Sequence, residues 1–87
     1  MTSLAIETDT RVEDVRFDAD SLIVGLKDGR TISAPLAWFP RLLKASPADL
    51  AAFELAGGGY GIHWPQLDED LSIDGLLRGA PSVEARR

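Results

Sequence analysis

An α+β domain is predicted, a single twisted antiparallel sheet with short helices packed on one side. Three observations predict it. Apolar residues alternate with polar ones in five short runs, the period of a half-buried strand. Residues with turn chemistry separate those runs at hairpin spacing. Runs around Phe39 and Ile73 instead place apolar residues three and four apart, as on one face of a helix. The order along the chain reads β-β-β-helix-helix-β-β-helix. Residues 1–10 are expected to be a flexible tail, 11–79 the single domain, and 80–87 a second flexible tail.

Each element has its own warrant. Leu4 and Ile6 leave room for a short strand-like piece in an otherwise polar, aperiodic tail. The first strand runs from about Arg11 to Asp18. Val15 and Phe17 share a face, and Val12 is out of phase with them, so a bulge is expected. Asp18-Ala19-Asp20-Ser21 is a turn. Leu22, Val24 and Leu26 then alternate with Ile23, Gly25 and Lys27. A two-residue loop at Asp28-Gly29 would set Leu26 opposite Thr31 and mix apolar with polar on each face. A three-residue loop, Lys27-Asp28-Gly29, sets Val24 opposite Ile32 and Leu22 opposite Ala34. A one-residue slip exchanges the faces, so burial selects the three-residue loop, with Gly29 left-handed.

Pro35 ends the third strand because it cannot donate to a ladder. Trp38 to Ala45 reads as a short helix with Pro40 in its first turn. Ser46 is a candidate N-cap for a second helical piece, with Pro47 at its first position and Asp49 in a shortened capping box. Phe53 to Ala56 and Tyr60 to Trp64 are the strands of a second hairpin, joined through Gly57-Gly58-Gly59. Pro65 stops the return strand, and Asp68-Glu69-Asp70 reads as an acidic turn. Ser72 caps a last helix whose Ile73, Leu76 and Leu77 share a face, and Gly79 and Pro81 stop it.

Composition narrows the function classes. With 87 residues the chain is one domain, burying somewhat over ~60% of its unfolded surface. The net charge of −5 and the scattered Lys and Arg argue against tight nucleic-acid binding, which needs a basic face. Partners that recognise charge would carry basic patches. The chain has no cysteine, so disulfides and thiolate metal sites are excluded. The N-terminus lacks the cationic and apolar regions of a signal peptide, and no apolar run approaches the ~20 residues of a membrane span. A cytoplasmic protein without a membrane role is the simplest expectation.

Candidate chemistry is sparse. The glycines Gly57, Gly58, Gly59 and Gly61 invite a phosphate-loop reading, but a strand-like run follows them and no lysine does, so a hairpin turn fits better. His63, followed by Asp68, Glu69 and Asp70, could serve a ligand or a metal ion. Its parity sets it opposite Tyr60, Ile62 and Trp64, which reads as a solvated or hydrogen-bonded surface histidine. The three acids favour the positive start of the last helix, or form an acidic docking surface bracketed by Leu67 and Leu71. Trp38, at a strand-to-helix junction, is a candidate interface residue. Neither a nucleophile–base pair nor a metal cluster is apparent, so the expectation is no enzyme and no cofactor.

Two phrases carry a family resemblance: Trp38-Phe39-Pro40-Arg41-Leu42-Leu43 with Ser46-Pro47, and Gly57 to Pro65 continuing through Leu67-Asp68-Glu69-Asp70-Leu71-Ser72 to Gly75-Leu76-Leu77-Arg78-Gly79. With the Leu26 to Arg30 hairpin, the chain resembles, from about Arg11 to Gly79, the small bacterial family called domain of unknown function 2442. The resemblance implies a compact α+β fold with no established catalytic residues. It implies stand-alone bacterial proteins, some encoded beside another small domain in an arrangement that looks like a toxin–antitoxin pair. Some members carry a C-terminal helix-turn-helix. Eight residues follow Gly79, so that extension is not expected here and DNA binding is not carried over. The expected function is a non-catalytic protein-interaction domain, in the antitoxin-like role of a two-gene pair. The candidate partner-binding residues are Trp38, Asp68, Glu69 and Asp70. The alternative is a small-ligand or metal-binding sensor using the region His63 to Asp70. The oligomeric state is not readable.

Overall fold

The computed structural model describes residues 7–86. The strand-like piece considered at Leu4 and Ile6 lies outside the described residues. Among the described residues there are six strands: β1 (Val12–Phe17), β2 (Ser21–Leu26), β3 (Thr31–Pro35), β4 (Glu54–Ala56), β5 (Gly61–Trp64) and β6 (Glu69–Ser72). Three short helices accompany them: α1 (Pro40–Leu43), α2 (Pro47–Ala51) and α3 (Ile73–Leu77). The α+β class holds, but the expected single sheet is two three-stranded antiparallel sheets, β1-β2-β3 and β4-β5-β6. The extra strand is β6, in the stretch expected to be an acidic turn. The residues Pro65 to Asp68 make the turn, and Glu69 pairs back onto Trp64. Acidic residues are depleted from strands, but an edge strand with one wet face accepts them.

The first sheet follows the polarity pattern. Val24 faces Ile32 and Leu22 faces Ala34, the register that gathers apolar residues on one side. Leu26 N–H donates to the Arg30 carbonyl at 2.8 Å, closing the three-residue loop with Gly29 at φ 96°. The expected bulge in β1 lies between Val12 and Asp14. It turns Val12 inward, where the side chain is buried beside Leu26 across the ladder.

The segment before β1 is tied to this same loop. Lys27 N–H donates to the Arg11 carbonyl at 2.9 Å, and Asp28 N–H to the Asp9 carbonyl at 3.2 Å. In return Asp9 N–H donates to the Asp28 carboxylate at 2.9 Å, which also accepts from the Arg30 guanidinium at 2.8 Å. Asp9 in turn accepts from Arg11 at 2.7 Å. The Arg11 guanidinium holds the Asp9 carboxyl down to about 2. The Arg30 guanidinium, helped by the Asp9 N–H, holds Asp28 well below the usual carboxylate range.

The helix expected from Trp38 to Ala45 is broken. A single 3-10 turn, Leu36–Trp38, precedes Phe39, and α1 starts only at Pro40. Phe39 sits at φ −132° and ψ 81°, outside the helical region, because the residue before a proline is pushed out of it. Ser46 caps α2 by accepting from Asp49 N–H at 3.2 Å, and Ser72 caps α3 by accepting from Gly75 N–H at 2.9 Å. The end of α3 closes with paired bonds from Ala80 N–H to the Gly75 carbonyl and from Gly79 N–H to the Leu76 carbonyl, around Gly79 at φ 71°. Residues 80–86, expected as a tail, run back over the fold, with a 3-10 turn at Val83–Arg86.

One core cluster serves both sheets and the helices. It contains Leu22 and Val24 from the first sheet, Ile62 and Trp64 from the second, and Leu42 and Ile73 from α1 and α3. Trp64 lies at its centre, fully buried, with its indole N–H donating to the Leu50 carbonyl at 3.0 Å. Its ring meets Phe17 edge-on at 6.3 Å and Phe53 at 6.4 Å.

Gly29→Val should cost more than the ~1 kcal/mol of an ordinary substitution, because a β-branched residue resists positive φ. Apart from its two chain neighbours, no described residue has an atom within 4 Å of the Cβ it would add, so the loss is conformational and appears as a lower urea midpoint with an unchanged slope. The depressed Asp9 and Asp28 pKa values give a second expectation. Their folded values lie below the unfolded value of 3.8, so their stabilisation is present above it and is lost as pH falls through the folded values, about 2 for Asp9 and lower still for Asp28. Stability followed between pH 5 and pH 2 should fall in that window, and Asp28→Asn should flatten the fall.

Candidate functional site

The hairpin of β5 and β6 brings together most of the candidate residues, but not as one acidic surface. Strand alternation separates them. Trp64 faces Glu69 and His63 faces Asp70 across the ladder, so Glu69 shares the inner face with Leu71 and Asp70 shares the outer face with His63. Asp68 precedes the strand at φ 51°, a conformation that Asp tolerates better than most residues, and its side chain is 93% exposed. The expected knob of three adjacent acids is thus spread over three directions.

On the outer face, His63 Nδ1 lies 2.7 Å from Asp70 Oδ1. With an ionised carboxylate, which can only accept, Nδ1 is the donor, and in the neutral form of the ring Nε2 is left as an acceptor. Glu54 stands opposite His63 on the other side, completing a Glu54–His63–Asp70 row across the sheet. This is the hydrogen-bonded surface histidine that the parity of β5 implies. Among the described residues no three His, Asp or Glu side chains stand close enough to hold a metal ion.

On the inner face, Glu69 folds back along its own strand. Its Oε1 accepts from Asp70 N–H at 3.0 Å, while Oε2 is buried without a partner among the described residues. Desolvation pushes the Glu69 pKa up, against the opposing pull of the Asp70 N–H and of Arg41. The residue borders an open cleft of about 500 Å³, lined also by Arg41, Ser72, Arg78, Ser82 and Glu84.

Arg41 is the residue that the sequence does not single out, since it reads there as one of several scattered surface cations. It projects from α1, which Leu42 anchors in the core. Its Nη1 donates to the Asp68 carbonyl at 2.7 Å, and its Nε to Glu84 at 2.9 Å. One guanidinium thus joins the β5–β6 turn to the C-terminal segment. Trp38 lies elsewhere. It is half-buried against the core and meets Phe39 edge-on at 6.4 Å. Its carbonyl accepts from Ser82 N–H at 3.0 Å, so it supports the segment that lines the cleft and does not line the cleft itself.

Fold and site together define a small two-sheet α+β domain with an acid-bearing edge hairpin. The chain belongs to the family described as protein of unknown function (DUF2442), which it matches over residues 12–82. It is similar to a crystal structure of a protein of unknown function from Rhodospirillum rubrum, with 38% identity and a TM-score of 0.73 over 90% of this chain and 96% of that one. It is also similar in fold to an uncharacterized protein from Chromobacterium violaceum solved by NMR. There the identity is 23% and the TM-score 0.70, over 83% of this chain and 68% of that one. Comparison with functionally curated proteins gave no match. Among the described residues no helix is long and apolar enough to cross a membrane.

Glu69 makes the stability of the fold depend on pH. Its folded pKa lies above the ordinary 4.5, so the ionised form is the disfavoured one in the fold. Its stabilisation is present below the unfolded value and is lost as pH rises through the folded value. Glu69→Gln keeps an acceptor for Asp70 N–H and carries no charge. It should melt higher than the parent at pH 7, and the difference should shrink as pH is lowered through 4.5.

Proposed function

We propose that this chain is a non-catalytic protein-interaction domain that docks a basic partner through the β5–β6 hairpin. The antitoxin-like member of a two-gene bacterial pair is the biological role we propose for it. One observation carries the docking reading. The Asp68 and Asp70 side chains are 93% and 74% exposed on a hairpin whose Leu67 and Leu71 pack against the core. Exposed acids on a hairpin anchored in the core steer a basic surface in the encounter and add little to stability. Glu69, half-buried in the cleft, and Trp38, against the core, act as supports for that surface. The net charge of −5 supports a protein partner over duplex nucleic acid.

The His63–Asp70 pair favours a second reading, a sensor for a small ligand or metal ion, with Nε2 as the free acceptor. It supplies at most two protein ligands. A thermal-shift screen with divalent metals and metabolites separates the two readings: a saturable rise in melting temperature that His63→Ala abolishes would establish the sensor.

Affinity purification from the native host, followed by mass spectrometry, should identify a partner with a basic face. Asp68→Asn and Asp70→Asn should then slow association several-fold at low salt, with a nearly unchanged melting temperature. Asparagine suits the positive φ at Asp68, so the backbone is not strained. A lower melting temperature with unaltered association would overturn the docking role and leave the acids a purely structural one.

A further inference from the structure

The C-terminal segment is held by few contacts, and one of them is shared with the candidate docking hairpin. Beyond Ala80, two hydrogen bonds tie the described segment to the rest of the fold: Ser82 N–H to the Trp38 carbonyl at 3.0 Å, and Arg41 Nε to Glu84 at 2.9 Å. Val83 is 62% exposed, and Pro81 and Ala85 are only half-buried, so no fully buried apolar side chain pins the segment down. The cleft separates this segment, at Ser82 and Glu84, from Glu69 and Asp70 of β6. The segment therefore lies along the outer side of β6, the side away from β5.

That outer edge is closed by side chains and not by a strand. The Asp70 N–H is taken by the Glu69 carboxylate, and the Asp68 carbonyl by Arg41 Nη1 at 2.7 Å. Arg41 is thus bonded to the edge and to the segment at once. Its guanidinium is a rigid plane with donors in a fixed fork. The helix that carries it is anchored by Leu42, which is fully buried. Both bonds are made by this one guanidinium, from Nε to Glu84 and from Nη1 to the Asp68 carbonyl.

We infer that Arg41 is the latch of a strap made by residues 80–86, and that strap and β5–β6 turn open together in one local step that uncovers the outer edge of β6. Open edges accept extended segments by backbone pairing, so the step would give a partner chain a place to add as a strand. This use rests on the interaction reading above. The latch does not.

Amide hydrogen exchange on the isolated chain, read residue by residue by NMR, tests it. The reporters are Ser82 N–H for the strap, Leu67 N–H for the turn, where it donates to the Trp64 carbonyl, and Leu26 N–H for the distant first sheet. In the parent chain Ser82 and Leu67 should exchange at similar rates, both faster than Leu26. Glu84→Gln touches only the strap side of Arg41. It should speed Ser82 and Leu67 alike, by about two- to fivefold as for loss of an exposed ion pair, and leave Leu26 unchanged. Arg41→Lys, a cation without the fork, should do the same or more. Acceleration of Ser82 alone would overturn the coupling. Equal acceleration of all three amides would mean global destabilisation and also overturn it. Because no partner is present, these failures leave the docking proposal standing, whereas a working latch without any recoverable basic partner removes the docking proposal alone.

Discussion

The structure depends on the burial of Trp64 between two sheets of only three strands each. A three-stranded sheet needs an apolar face packed on something. Here each covers the other, and the indole of Trp64 is the largest side chain fully buried between them. It touches Phe17 from the first sheet and Phe53 beside the second. A buried indole N–H without a partner would be costly, and the Leu50 carbonyl removes that cost by accepting from it. The same bond fixes where the end of α2 sits, so the connection between the sheets is set by the residue they both enclose.

A core of this size leaves the periphery to be ordered by polar contacts. Two clamps do so. At one pole Asp9 and Asp28 exchange bonds with each other's backbone while Arg11 and Arg30 neutralise them. At the other pole Arg41 bonds a carbonyl of the β5–β6 turn and a carboxylate of the C-terminal segment. Exposed ion pairs are individually weak. These clamps act because they satisfy backbone groups at loop ends, where no ladder supplies a partner. The first clamp is dense, and it joins the segment before β1 to the β2–β3 loop at one end of the first sheet. The second is sparse and long-range, and it lies beside the exposed acids and the cleft, where a docking surface can use looseness.

Much of the fold was legible because its causes are local. Parity alone separated the two registers of the β2–β3 hairpin, since a slip would have carried Leu22 and Val24 to the solvent face. The out-of-phase Val12 gave away the bulge, and the serine caps of α2 and α3 stood in their expected places. The hairpin of β5 and β6 was half legible. Pro65 ends β5 as its chemistry requires, but Asp-Glu-Asp reads as a turn because acids resist strands. The four residues Pro65 to Asp68 are a length at which hairpins commonly close, and that was the available signal.

The sequence by itself determined the α+β class, the edges and faces of the first three strands, the helix caps, and the presence of acids after Pro65. The tertiary structure alone decided that there are two sheets, that Glu69 and Asp70 point to opposite faces, and that Arg41 meets Glu84 across 43 positions of chain. The physical reason lies in range. Backbone preference and side-chain alternation act over a few residues and are written locally, whereas the choice of what covers an apolar face, and which cation reaches which carbonyl, is made only when distant segments compete for the same small core.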